Sequence, residues 1–127
     1  MPDPAENNAE ARSNPRLRLP AMYTLLRVRH VGDPRYRWTG HIYDISNSGM
    51  RFELDAPLPA GTEVEVRGML PGIHQVVTFH ATGRIVRLHD DQEVGPIRMG
   101  MTFTHFNHDI DRQRLNIYLN HSGLQAA

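Results

Sequence analysis

The 127-residue sequence has no cysteine, which excludes disulfides and thiolate metal sites. It has no apolar run approaching the length of a membrane span. Its opening residues, Met-Pro-Asp-Pro-Ala-Glu, are acidic and lack the apolar segment of a secretory signal. Those two absences lead us to expect a cytoplasmic protein. Catalytic signatures are missing too: there is no glycine-rich phosphate loop, no paired-acid motif and no nucleophile with a base beside it, so the expectation is a protein that is not an enzyme. Eight histidines invite a metal reading. However, His105 and His108 are joined only by Asp109 and Asp111, which stand at an expected helix start. Zinc needs three or four converging ligands, so surface histidines and no metal are expected. No internal repeat is visible.

Lysine is absent as well, and all fourteen basic residues are arginine. A guanidinium forks onto phosphate or a guanine edge with two hydrogen bonds, which lysine cannot do. For most of the fourteen, a codon bias of the genome is explanation enough. Their placement is more informative. The formal net charge is zero, yet Ala11 to Gly40 holds seven arginines (12, 16, 18, 27, 29, 35 and 37) against one acid, Asp33, a net +6. Such segregation suggests an anionic partner for this part of the chain.

Length allows one domain with its own core. Residues 1–11 are polar and proline-interrupted and are read as a disordered tail. Residues 12–20 form an arm with Pro15 and Pro20, and Leu17 and Leu19 are placed to dock it. Strand one is expected from Ala21 to His30, with Met22, Leu26 and Val28 on one face. Strand two follows from Arg37 to Ile45, strand three from Gly49 to Leu54 and strand four from Glu63 to Leu70. Strand five runs from Gln75 to Leu88, with Gly83 marking a bend or bulge. An acidic loop, His89 to Glu93, precedes strand six, Arg98 to Phe106. Alternating apolar and polar positions carry these assignments. Closure of such a sheet removes its edges, which favours an all-β, six-stranded antiparallel barrel over residues 12–106. Residues 107–127 read as a C-terminal helix and tail, capped by Asn107 or Asp109 and ended by Ser122-Gly123.

Strands two and three meet at Asp44-Ile45-Ser46-Asn47-Ser48-Gly49. One reading is a plain hairpin turn, since Asp and Ser side chains bond nearby amides and Gly49 can take φ > 0. The sharper reading is a polar pocket holding one fixed carboxylate. Upstream stands an arginine pair, Arg12-Ser13-Asn14-Pro15-Arg16.

Arg-x-x-x-Arg followed by Asp-x-Ser-x-x-Gly, with strands on both sides, resembles the PilZ domain family. The resemblance covers Arg12 to Phe106. It implies a small six-stranded barrel that binds the bacterial second messenger cyclic di-GMP, as a ligand and with no cofactor. By resemblance, Arg12 and Arg16 clamp phosphate and guanine, Asp44 holds a guanine Watson–Crick edge, and Ser46 supports the ligand or orients Asp44. Gly49 lets the backbone come close, and Arg18 is a further candidate. The chemistry agrees: guanine offers O6 and N7 acceptors to an arginine fork and N1–H and N2–H donors to a carboxylate. Pro15 pushes Asn14 toward extended geometry, which bears on the arm's path.

The leading expectation is therefore a cyclic di-GMP receptor module that orders its arm on binding and acts through a downstream protein the sequence does not identify. A second reading is a ligand-free, PilZ-like interaction module related to motility or pili. A third, nucleic-acid binding, needs exposed aromatics among the arginines, and only Tyr36 and Trp38 lie near them. The sequence leaves oligomeric state open.

Overall fold

The computed structural model describes residues 16–86 and 97–126. The tail, Arg12 and the acidic loop lie outside the described residues. The elements are β1 (Leu17–Arg18), a 3-10 turn (Ala21–Tyr23), β2 (Leu25–His30), β3 (Trp38–Ile45), β4 (Gly49–Leu54), β5 (Glu63–Leu70), β6 (Val77–Val86), β7 (Ile97–Phe106) and α1 (Asp109–Ala126).

All strand pairs are antiparallel. β2 to β7 run around the sheet as β3-β2-β5-β6-β7-β4, and a β3–β4 pairing closes the ring. The result is a six-stranded barrel with β1 added on β3. Period-2 patterning sets which side chains fill it: along β5, Val64, Val66 and Leu70 are buried while Glu63 is exposed. Phe79 on β6 lies over Gly68 on β5, where a Cβ would come within 2.3 Å of the ring. Leu26, Ile42, Phe52 and Ile85 complete the centre, each 2% exposed or less. A register shift falls between Thr82 and Gly83 on β6, as the glycine suggested. A Cβ at Gly83 would meet Thr102 O at 2.4 Å, so the strands approach here only because the side chain is missing.

The first strand differs from expectation. Residues 21–23 form a 3-10 turn, and Met22 is 76% exposed rather than inward. The cause is Pro20, which has no N–H for a ladder; its carbonyl instead accepts from Tyr23 N at 2.8 Å. The turn splits the polypeptide along one edge of β3. β2 pairs with the start of β3 (Leu26↔Gly40, Val28↔Trp38) and β1 pairs with its end (Leu17↔Ile45, Arg18↔Asp44). Buried Thr24 bridges the gap: its Oγ1 accepts from Ile42 N at 2.7 Å, and its carbonyl lies 2.8 Å from His41 Nδ1. Leu19 N donates to Tyr43 O at 2.8 Å. From Leu17 onward the arm is thus part of the sheet, with Leu17 and Leu19 packed against the core and Arg16 and Arg18 exposed.

Helix α1 covers part of the barrel with Leu115 and Tyr118, while Ile110 and Ile117 are exposed. Asp111 does more than favour the first turn. It is buried, and its Oδ1 accepts from His80 N at 2.9 Å. Tyr118 OH donates to Pro71 O at 2.9 Å. The helix runs through Ser122-Gly123 to Ala126. A glycine costs about 1 kcal/mol inside a helix, too little to end it by itself. Among the described residues no helix is long and apolar enough to cross a membrane.

Candidate functional site

The β3–β4 hairpin builds the site. Ser46 is buried and closes the turn: its N donates to Gly49 O at 2.8 Å, and its Oγ accepts from Ser48 N at 3.2 Å. Ser46 therefore shapes the loop that follows Asp44. Gly49 does not have positive φ; among the described residues only Gly32 and Gly61 do. It is glycine for a steric reason, since a Cβ there would lie 2.2 Å from Met101 O on β7. The close approach expected at Gly49 is made by the chain's own backbone.

Asp44 comes next to a register shift on β3 between Ile42 and Asp44. The extra residue, Tyr43, lies under Arg98, whose guanidinium carbon is 5.0 Å from the ring centroid. Burial first, and then hydrogen bonding to Glu53, hold the Tyr43 hydroxyl above its ordinary range, against the opposite pull of Arg98. Past the shift, Asp44 pairs with Arg51 on β4 and with Arg18 on β1. Directly opposed residues of an antiparallel pair share a face. Arg18, Asp44 and Arg51 therefore form one row across three strands on the outer wall of the barrel.

The hydrogen bonds expected from the Asp44 carboxylate to turn amides are replaced by guanidiniums. Arg16 Nη1 donates to Oδ1 at 2.9 Å, and Arg51 Nε lies 3.6 Å from Oδ2. The Asp44 side chain is 13% exposed, against 43% for Arg16 and 53% for Arg51. Of the residues that the sequence motifs point to, Arg16, Arg18, Asp44, Ser46 and Gly49 gather around one hairpin. Arg51 lies outside those motifs. Counting outward from the four-residue turn Ser46–Gly49 would have placed Arg51 opposite Asp44. Among the described residues no group of three or more His, Asp or Glu side chains is arranged to hold a metal.

This site lies on a barrel whose sequence matches the PilZ domain profile over residues 10–121. The chain belongs to the PilZ domain family. No curated protein matches it significantly. Solved structures do resemble it in fold. The Bacillus subtilis inhibitor of motility MotI/DgrA superposes with a TM-score of 0.67 at 16% identity, over 90% of this chain and 51% of that one. MrkH of K. pneumonia, solved as a complex with c-di-GMP, gives 0.60 at 24% identity, over 89% and 52%. The PilZ domain of YcgR from Escherichia coli, also with c-di-GMP, gives 0.55 at 18% identity, over 89% and 92%. The chain spans about half the length of the first two. At these identities the likeness is one of fold.

Proposed function

We propose that this chain is a cyclic di-GMP receptor module, not an enzyme, working in the bacterial cytoplasm. The observation that carries the proposal is the meeting of the two halves of the PilZ signature: Arg16, from the arginine pair, bonded to Asp44, from Asp-x-Ser-x-x-Gly, across 28 residues of sequence.

The Arg16–Asp44 pair is a stand-in arrangement that the ligand exchanges. The exchange swaps one hydrogen bond to the carboxylate, from Arg16 at 2.9 Å, for two from one guanine edge, each worth about 1.5–3 kcal/mol. Guanine N1–H and N2–H therefore take over the Asp44 carboxylate, and Arg16 is released to a phosphate or to guanine O6 and N7. Arg12 joins from the same motif, and Arg18 lies in the same row. Ser46 and Gly49 hold the hairpin that presents Asp44.

The resulting change is ordering of the arm. Residues 17–19 are already in the sheet, so the ligand acts on the segment before them, Arg12 to Arg16. Fixing each residue costs about 1–2 kcal/mol of backbone entropy, and the arginine contacts must offset it. The ordered arm is the surface that a downstream protein reads. The amides of residues 12–14 and of Arg16 are expected to gain exchange protection with ligand, while Leu19, whose N donates to Tyr43 O, is protected in either case.

Calorimetric titration of the purified chain with cyclic di-GMP, with cyclic AMP and GTP as controls, tests the proposal. Saturable heat with cyclic di-GMP alone supports it, and no heat up to millimolar nucleotide overturns it.

A further inference from the structure

We infer that Arg51 is an additional ligand-binding arginine of this site, gripping a phosphodiester of the cyclic dinucleotide on the outer wall of β4. This rests on the reading of Asp44 as the guanine acceptor.

Four observations place it there. The first is register. Arg51 is the cross-strand partner of Asp44, and Arg18 is its partner on the other side. With strands about 4.8 Å apart, the two arginines flank the carboxylate from backbones about 10 Å apart. A cyclic dinucleotide carries its two phosphodiesters on opposite sides of one ring, so cations on both sides of one guanine acceptor suit its outline.

The second is the loose hold on Arg51. Its ion-pair partner is Asp44, at 3.6 Å, which is longer than a charge-assisted hydrogen bond. Once guanine occupies that carboxylate, Arg51 loses its anion and is free to turn to the ligand's own phosphate. The third is space. On β7 the residue opposite Arg51 is Gly100, which puts no side chain beside the guanidinium. The Arg51 side chain is 53% exposed and can swing over the wall.

The fourth is charge. Arg16, Arg18 and Arg51 surround the single carboxylate of Asp44, three cations against one anion. That cationic surplus, to which Arg12 adds under the proposed function, suits a ligand that carries negative charge on both of its phosphodiesters. The next outward residue on β4, Glu53, does not cancel it, because Glu53 hydrogen-bonds Tyr43 and stands opposite Arg98.

The competing role for Arg51 is that of a latch, which ties up Asp44 and opposes the ligand. The two roles predict opposite signs. Calorimetry of wild type, Arg51→Ala and Arg51→Lys with cyclic di-GMP at low and high salt distinguishes them. The inference predicts about tenfold weaker binding for Arg51→Ala at low salt, a gap that narrows at high salt because the lost contact is an exposed charge pair. Arg51→Lys recovers part of the affinity, since the charge remains and the fork is lost. Thermal unfolding of both variants without nucleotide is expected to match wild type. Wild-type binding with Arg51→Ala equally tight or tighter overturns the inference and leaves the receptor reading standing. An Arg51→Ala deficit that is the same at both salt concentrations, or that accompanies a lowered melting temperature and is fully repaired by lysine, also overturns it. Failure of wild type to bind overturns the receptor reading itself.

Discussion

Arg16 and Asp44 are 28 residues apart in sequence and 2.9 Å apart in space. Two features bring them together. Alternation in Arg16-Leu17-Arg18-Leu19 sends the leucines to the core and the arginines outward. The pairing of Leu17 with Ile45 then sets the arginines beside the carboxylate. A surface ion pair contributes little to stability, which under the proposed function leaves both groups poised for exchange with a ligand.

Replacement of Asp44 by alanine is expected to remove most cyclic di-GMP binding with little change in melting temperature. Its partners are two exposed guanidiniums, and no turn amide depends on it. Titration calorimetry and thermal unfolding of the same preparation check this. Retained affinity with a lowered melting temperature would make Asp44 a turn residue.

Arg12→Ala and Arg16→Ala should each weaken binding about tenfold or more, as expected for a lost charge-assisted hydrogen bond. Circular dichroism should stay at the wild-type spectrum, because Arg16 is exposed and takes no part in the core. Unchanged affinity in the double variant would remove the arginine clamp from the account.

Gly49→Ala should destabilise the barrel by about 1–3 kcal/mol, the usual cost of forcing extra volume into a packed place. The added methyl would lie against Met101 O, so β4 and β7 must separate or the hairpin must tilt. Urea unfolding measures the cost. A wild-type midpoint would show that the β4–β7 contact is softer than its geometry.

Acid sensitivity should have a component at Glu65. Burial pushes its carboxyl up, but the Gly32 amide and Arg29 together outweigh burial and leave it below its ordinary value. A depressed folded value stabilises the fold above the ordinary glutamate range, about pH 4, and that stability is lost as pH falls through the folded value. Glu65→Gln should therefore be less stable than wild type at neutral pH, and the difference should shrink in acid. Urea midpoints across the range test this; a difference that grows in acid would contradict it.

Much of this architecture was legible in the sequence. Strict alternation bounded by Gly49 and by Glu63 gave β4 and β5 to the residue, and Gly83 marked the shift in β6. What was illegible depended on partners far away. Leu17 and Leu19 alternate with arginines, yet two residues become a strand only because β2 leaves the end of β3 uncovered. Thr24 fills that gap with a side chain in place of a ladder bond, which no periodicity encodes. Asp111 looked like a helix-start charge, and its burial against His80 N follows from where α1 lands on β6. Arg51 looked like an ordinary outward strand residue until register put it beside Asp44.

The central claim is that cyclic di-GMP binds on the outer wall at the β3–β4 hairpin. The most direct measurement is a titration of the isotopically labelled chain with cyclic di-GMP followed by amide NMR. Saturable shifts are expected at Arg16 to Leu19, at Asp44 to Arg51 and at the facing residues of β7, with the face of α1 around Ile117 unmoved. No shifts, or shifts centred on α1 and the β5–β6 hairpin, would contradict it.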